Sequence, residues 1–185
     1  MVPDPVSRSP GTGSETESRF KRRILGALRL DASVYEEVER DREALGQALA
    51  VVVLSSLATG VGAGPLPTGG GSVPLLVGVL FALIGWVVWA GLIFVIGTKV
   101  VPEPQTRSDI VELMRTTGFA AAPGLFGLLG LLPFVGSLLT LAVSLWMLMA
   151  MVIAVRQALD FTSVWRSLGV VIIGWMAYLL ILLLV

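Results

Sequence analysis

Five blocks of the chain carry no charged side chain: 44–62, 73–98, 118–134, 138–155 and 168–185. Their apolar residues run on continuously instead of alternating, which predicts helices and not the strands of a barrel. A helix needs about 20 residues to cross the hydrocarbon of a bilayer, and the blocks have that length or nearly so. The expected fold is all-α, an integral membrane bundle of five transmembrane helices over residues 44–185. The third block departs most from a regular helix. Pro123 removes a backbone donor and predicts a kink, and Gly118, Gly124, Gly127 and Gly130 lower helix propensity. Asp109 and Glu112 stand at capping-box spacing, so this helix is expected to start near Ile110 and bend at Pro123. A re-entrant segment is the alternative. The third and fourth blocks are separated by Leu132-Pro133-Phe134-Val135-Gly136-Ser137, which predicts a tight turn between antiparallel neighbours.

The residues before the first block read differently. Residues 1–18 are rich in Pro, Gly, Ser and charge, lack the apolar core of a signal peptide, and are expected to form a disordered tail. Residues 19–43 are expected to form cytoplasmic amphipathic and juxtamembrane helices. Phe20, Ile24 and Leu28 recur every four residues among Lys21, Arg22 and Arg23, the pattern of a basic helix lying on anionic headgroups or of charges that merely fix orientation. A second helix is expected to open at Ser33, with Glu36 at capping-box spacing and Glu36–Arg40 as an attractive i,i+4 pair. It either stops before the first crossing or runs on into it.

Charge then sets the topology. Formal net charge is zero, yet all 13 Lys and Arg fall before the first block, between the second and third, or between the fourth and fifth. In a five-helix topology those stretches share one side. The other side, including 63–72 and the turn at Pro133, has no charged side chain. The excess of Lys and Arg on cytoplasmic loops predicts a cytoplasmic N-terminus and an external C-terminus; the membrane expected is the plasma (inner) membrane. The same parity requires the third block to cross.

Candidate chemistry is sparse. The chain has no Cys and no His, which removes thiolate chemistry and the commonest metal ligand and general base. Charge inside a bilayer marks ion paths and proton relays, and the five blocks contain none. Gln47 is expected to snorkel or to make one interhelical hydrogen bond, and Asp160 to pair with Arg156. Glu103, Asp109 and Glu112 lack the spacing of a metal site. Ser55, Ser56, Thr59, Thr140 and Ser144 are expected to bond within or between helices. The glycines of 60–64 and 69–71 follow no strand and carry no Lys, so they are not a phosphate loop. Small residues at Gly78/Ala82, Ala120/Gly124 and Gly174/Ala177 are expected at close helix crossings. Trp86 and Trp89 are expected to fill a packing surface, and Trp165 to sit at an interface. No catalytic, cofactor-binding or metal-ligating residue, no cofactor and no nucleic-acid partner is expected. The expected partners are the lipid bilayer and a membrane protein or a second copy of the chain.

Three stretches carry a resemblance: 30–41, Leu-Asp-Ala-Ser-Val-Tyr-Glu-Glu-Val-Glu-Arg-Asp, with Gln47-Ala-Leu after it; 115–123, Arg-Thr-Thr-Gly-Phe-Ala-Ala-Ala-Pro; and 132–136, Leu-Pro-Phe-Val-Gly, followed by Trp146 and Ala154-Val-Arg-Gln-Ala158. With the overall layout they resemble the Yip (Ypt-interacting protein) domain family of small polytopic membrane proteins, over roughly residues 20–185. The resemblance implies a five-helix domain with a cytoplasmic N-terminus. Eukaryotic members act in vesicle traffic and contact small GTPases. The Asp-Leu-Tyr-Gly-Pro element associated with those members is missing here, which counts against GTPase binding and makes the chain similar to the prokaryotic branch. The expected role is a non-catalytic membrane protein acting through intramembrane helix contacts and a cytoplasmic partner. The alternative is a small permease or channel subunit for a neutral solute.

Overall fold

The computed structural model describes residues 12–64 and 72–184. Among them every regular element is helical: α1 (Thr12–Leu28), α2 (Ala32–Arg40), α3 (Ala44–Gly62), α4 (Ser72–Val95) extended by a π turn (Ile96–Val100), α5 (Ile110–Ala120), a 3-10 segment (Ala122–Leu131), α6 (Gly136–Ala158) and α7 (Val164–Leu184). Four stretches are long and apolar enough to cross a membrane: Ala44–Gly62, Pro74–Val100, Gly136–Ala158 and Val164–Ile181.

The third apolar block is two pieces. The α5 helix opens at Asp109, whose carboxylate accepts the Glu112 amide at 2.8 Å while the Glu112 side chain accepts the Asp109 amide at 3.0 Å. Pro123 cannot continue the ladder, and the chain tightens from α-helix to 3-10 at Ala122. Runs of 3-10 helix beyond three or four residues are uncommon, and the glycines explain this one. A 3-10 helix repeats every three residues, so Gly124, Gly127 and Gly130 lie in one row facing α3. An added Cβ at Gly124 would meet Ser55, at Gly127 the backbone of Thr59, and at Gly130 the carbonyl of Gly62. The row is continuous with Gly118, which faces Ala48. The α5 helix and the 3-10 segment thus run parallel to α3 from Ala48 to Gly62. Ser55 Oγ donates across to the Ala121 carbonyl at 2.7 Å, and Thr59 Oγ1 to that of Gly124 at 3.4 Å.

At its far end the 3-10 segment turns into α6 through Phe134, which is fully exposed at φ 65°, and Gly136 packs on the Gly130 backbone. The α4 and α6 helices lie side by side and parallel. Trp89 Nε1 donates to Met151 Sδ at 3.4 Å, and Gly97 faces Leu159. The α7 helix returns antiparallel to α4, with Gly174 against Ile93 and Gly85 against the Tyr178 hydroxyl. Trp86 and Trp89 are both buried as packing residues, and Trp165 is exposed near the start of α7. Gly78, expected at a crossing with Ala82, has no neighbour within 4 Å, so that pair is not used in the described contacts.

The N-terminal region needs three corrections. Helix α1 begins at Thr12, so 12–18 is helical and not part of an unstructured tail; residues 1–11 lie outside the described residues. Lengthening an existing helix needs no new nucleus, and the Glu17–Lys21 pair at i,i+4 favours it. The apolar face of α1 is not free for lipid. Phe20, Ile24 and Leu28 pack on the protein core, and Phe20 meets Phe119 edge to face at 6.4 Å. Helix α2 is capped by Asp31, which accepts the Ser33 amide and hydroxyl, so Ser33 is its second residue and not its cap. The chain breaks at Asp41, and α2 does not continue into α3.

Candidate functional site

The charged side chains among the described residues gather at one end of the bundle, where α1 and α2 dock. At the centre of this polar node is Arg23, only 2% exposed. Its guanidinium donates from Nε to Glu37 at 2.9 Å, from Nη2 to Asp41 at 2.6 Å and from Nη1 to the Gln47 amide oxygen at 2.8 Å. Arg22 reaches Glu37 from outside at 2.8 Å. Arg suits such a place because its planar fork offers several donors at once. One cation therefore ties α1 to α2, to the break before α3 and to the first turn of α3. Burial works against ionised Asp41, but the hydrogen bonds from Arg23 and the Glu43 amide and the Arg23 charge outweigh it, and Asp41 titrates below the usual carboxylate range.

A second buried cation does different work. Arg115, on α5 and 5% exposed, donates to the backbone carbonyls of Val38 at 3.1 Å and of Glu39. The last carbonyls of a helix lack partners within it and carry the negative end of its dipole. Arg115 supplies both donor and charge, and so caps the end of α2 from the middle of the bundle. Tyr35 and Val38, both buried, complete the contact of α2 with the core.

Around the rim lies a polar cleft of about 400 Å³ lined in part by Glu36, Glu39, Arg40, Arg156, Asp160 and Thr162. Burial, together with the neighbouring charges of Asp160, Glu112 and Glu36, pushes the Glu39 carboxyl up to about 7, against the pull of Arg40. The expected Glu36–Arg40 pair is present at 2.5 Å. The expected Arg156–Asp160 pair is not. Asp160 sits in the turn after α6 at φ 52°, and Arg156 instead donates to the carbonyl of Phe161 at 3.2 Å. Beside it Glu103 accepts the Thr162 amide and hydroxyl at 3.2 and 3.0 Å and pairs with Arg166 at 3.4 Å, joining the α4–α5 connection to the start of α7. Burial opposes ionisation of Glu103, yet the Thr162 and Gln105 hydrogen bonds and Arg166 hold it low.

Gln47 is where the sequence places it, accepting one hydrogen bond, though the donor comes from α1 and not from a crossing helix. The expected hydroxyl bonds split in two. Ser55 and Thr59 reach across to the next segment, while Ser56, Thr140 and Ser144 bond back within their own helices. Among the described residues no group of His, Cys, Asp or Glu has the arrangement to hold a metal ion.

Sequence reasoning missed Arg23 and Arg115 as structural cations. It counted both only toward orientation or headgroup binding. The available signal was the acidic pair Glu37 and Asp41, four residues apart on the face that α2 turns to α1. What the node can do chemically follows from its partners. Each buried cation is held by groups of neighbouring elements, and among the described residues no buried side-chain nitrogen or oxygen lacks a hydrogen-bond partner. Its work is to fasten an amphipathic hairpin to apolar helices.

No curated protein and no solved structure matches the chain. The family model described as the Yip1 domain matches residues 26–185, from the last turn of α1 through α7. The chain belongs to the Yip1 domain family and is a polytopic membrane protein.

Proposed function

We propose that this protein is a non-catalytic, five-crossing membrane protein that acts through helix contacts in the bilayer and through its charged end, in membrane organisation or a trafficking-like role. The observation that carries the crossing count is the parallel run of α5 and the 3-10 segment along α3, which gives the third block the same direction as the first. The two pieces add about 16 Å and about 20 Å by their helical rises, together enough for a hydrocarbon layer of about 30 Å. With that segment counted, every Lys and Arg falls on one side, and the Lys/Arg rule places the charged end and the N-terminus in the cytoplasm. Family membership and the structural use of Arg23 and Arg115 support a role in contact and not in catalysis. The cleft beside Glu39 and Asp160 offers a cytoplasmic partner a polar surface at the point where α2 meets the end of α6 and the turn that follows it.

The test is crosslinking in native membranes followed by isolation through tags at each terminus, with each tag also probed for sidedness. The expected result is an N-terminal tag on the cytoplasmic side, a C-terminal tag outside, and a reproducible protein partner or self-association. Both tags on one side would refute five crossings. A monomer with no crosslinked partner would refute the contact role.

A further inference from the structure

The charged end is not level. Gly118 is touched at once by Ala48 of α3 and Trp86 of α4, and Trp86 Nε1 donates to Thr117 Oγ1 at 3.1 Å. The first turn of α3 thus sits at the height of Trp86, while α4 and its π turn continue for about 21 Å to Val100. Allowing for the turn from Ala44 to Ala48, α3 begins about 15 Å deeper than α4 ends. The α4 and α7 helices keep apolar, exposed residues below that height: Val95 is 51% exposed, Ile172 50%. On the α3 flank the corresponding volume is occupied by α1 and α2. Helix α1 reaches far up. Phe20 packs on Phe119, next to Gly118, and the Leu28 carbonyl accepts Trp146 Nε1 at 3.0 Å, near the midpoint of α6. Its outer face carries exposed Lys21, Arg22 and Leu25, and Arg29 is exposed just past its end.

A flat bilayer cannot satisfy both flanks. If its surface lies at the end of α4, Lys21, Arg22 and Arg29 stand in hydrocarbon, where a cation costs several kcal/mol. If it lies at α1, the lower apolar turns of α4 and α7 stand in water. Bending the surface is cheaper, since thickness mismatch costs only fractions of a kcal/mol per Å. We propose that the α1–α3 flank draws the headgroups of the charged-end leaflet inward, so that the bilayer is locally thinned on that side and the basic outer face of α1 binds the phospholipid headgroups it pulls in. The proposal rests on the bundle crossing a bilayer, and it adds a deformed lipid surface as the partner of α1.

The chain has no Cys, so single substitutions at exposed positions give clean labels. Leu25→Cys on α1, Val95→Cys low on α4 and Phe81→Cys, 68% exposed higher on α4, would be reconstituted in phosphatidylcholine–phosphatidylglycerol vesicles. A membrane-impermeant maleimide is supplied on both faces, and a fluorophore on each Cys is exposed to lipids brominated midway along their acyl chains. The expected result is that Leu25→Cys labels as fully as in detergent, while Val95→Cys loses its labelling and is quenched by the bromolipid. That order inverts their heights along the bundle. Labelling of both would mean that α4 projects from a flat bilayer, and would overturn thinning. Protection and bromolipid quenching of Leu25→Cys would place α1 in hydrocarbon, and would also overturn it. Phe81→Cys reports crossing alone: if it labels in vesicles, the membrane-spanning reading falls first.

Discussion

The two ends of α3 are packed by opposite means. At the uncharged end, Gly62 meets the carbonyl of Gly127, Gly127 meets the Thr59 backbone, and Gly136 meets Gly130. Backbone touches backbone, and hardly any side chain intervenes. At the charged end the close glycines, Gly26 and Gly118, lie chiefly against side chains, those of Val34, Ala48 and Trp86. There α1, α2, α3 and α5 are joined through long side chains, Arg23 to Glu37, Asp41 and Gln47, and Arg115 to the end of α2. The difference follows from what each end has to hold. Two apolar segments in lipid gain nothing from the hydrophobic effect by meeting, so close van der Waals contact is what remains, and glycine permits it. A charged hairpin on apolar helices must carry its own partners with it, because an unpaired buried charge is prohibitive.

The sharpest break of this comparison is Arg23→Ala. It leaves Asp41 without a cation and Glu37 with Arg22 alone, and removes the donor to Gln47. Losing one partner of a buried ion pair costs about 3–5 kcal/mol. The expected outcome is release of α1 and α2, read as rapid proteolysis in the 29–31 turn, while the glycine-packed end stays folded and its helical circular dichroism is largely kept. If the whole bundle unfolds together, the two ends are one cooperative unit and the contrast fails. A milder break at the other end is Gly127→Val. Its new atoms would meet the Thr59 backbone at 2.6 to 2.8 Å, and backbone cannot swing aside as a side chain can. Overpacking of this kind costs about 1–3 kcal/mol. Thermal unfolding in detergent should show the loss, with the 29–31 turn still protected from protease.

That asymmetry marks how far the sequence was legible. The four long helices were readable because 20 apolar residues in a row have few other uses. The Asp109–Glu112 cap and the break at Pro123 were readable too, since both act within a few residues. The 3-10 segment was not read, although its cause is in plain sight: Gly118, Ala121, Gly124, Gly127 and Gly130 repeat every three residues, and a period of three fits a 3-10 helix and not an α-helix. Weighing each glycine as a helix breaker hides that period. The node was illegible for another reason. Arg23 joins residues 14 to 24 positions away, and Arg115 one 77 positions away, and no local pattern distinguishes a cation turned inward from the exposed Lys21 and Arg22 beside it.

A smaller effect separates the hairpin from its seat on α6. Trp146 Nε1 donates to the Leu28 carbonyl, and the same ring stacks on Phe126 at 5.5 Å between centroids. Trp146→Phe keeps a ring for Phe126 and loses the hydrogen bond, for about 1 kcal/mol. The expected change is faster hydrogen exchange in residues 26–31 with no change in the 3-10 segment. Equal loosening of both would show that the indole serves mainly to pack.

Once solvent screening of a half-exposed group is allowed for, the smallest expected effect concerns pH and touches the charged end alone. Glu39 is half-buried beside Asp160, Glu112 and Glu36, with Arg40 the one cation pulling the other way and Arg115 spent on the backbone of α2. Its carboxyl is raised from 4.5 to about 7 in the docked state. Raising the pKa of an acid favours its protonated form in the folded protein. Docking is thus strongest below pH 4.5, where Glu39 is neutral docked or free. It weakens above that, since the free hairpin ionises while the docked one resists, and the contribution is gone once pH passes about 7. Protease protection of the 29–31 turn should therefore fall between pH 5 and about 7.5. Glu39→Gln, which cannot ionise, should hold its protection across that range. Protection of the glycine-packed end should not change with pH in either protein, because no titratable group lies on that contact. A wild-type hairpin equally protected at both ends of the range would show that water in the cleft screens Glu39 from Asp160, and that the node is fastened by Arg23 and Arg115 regardless of the charge at its rim.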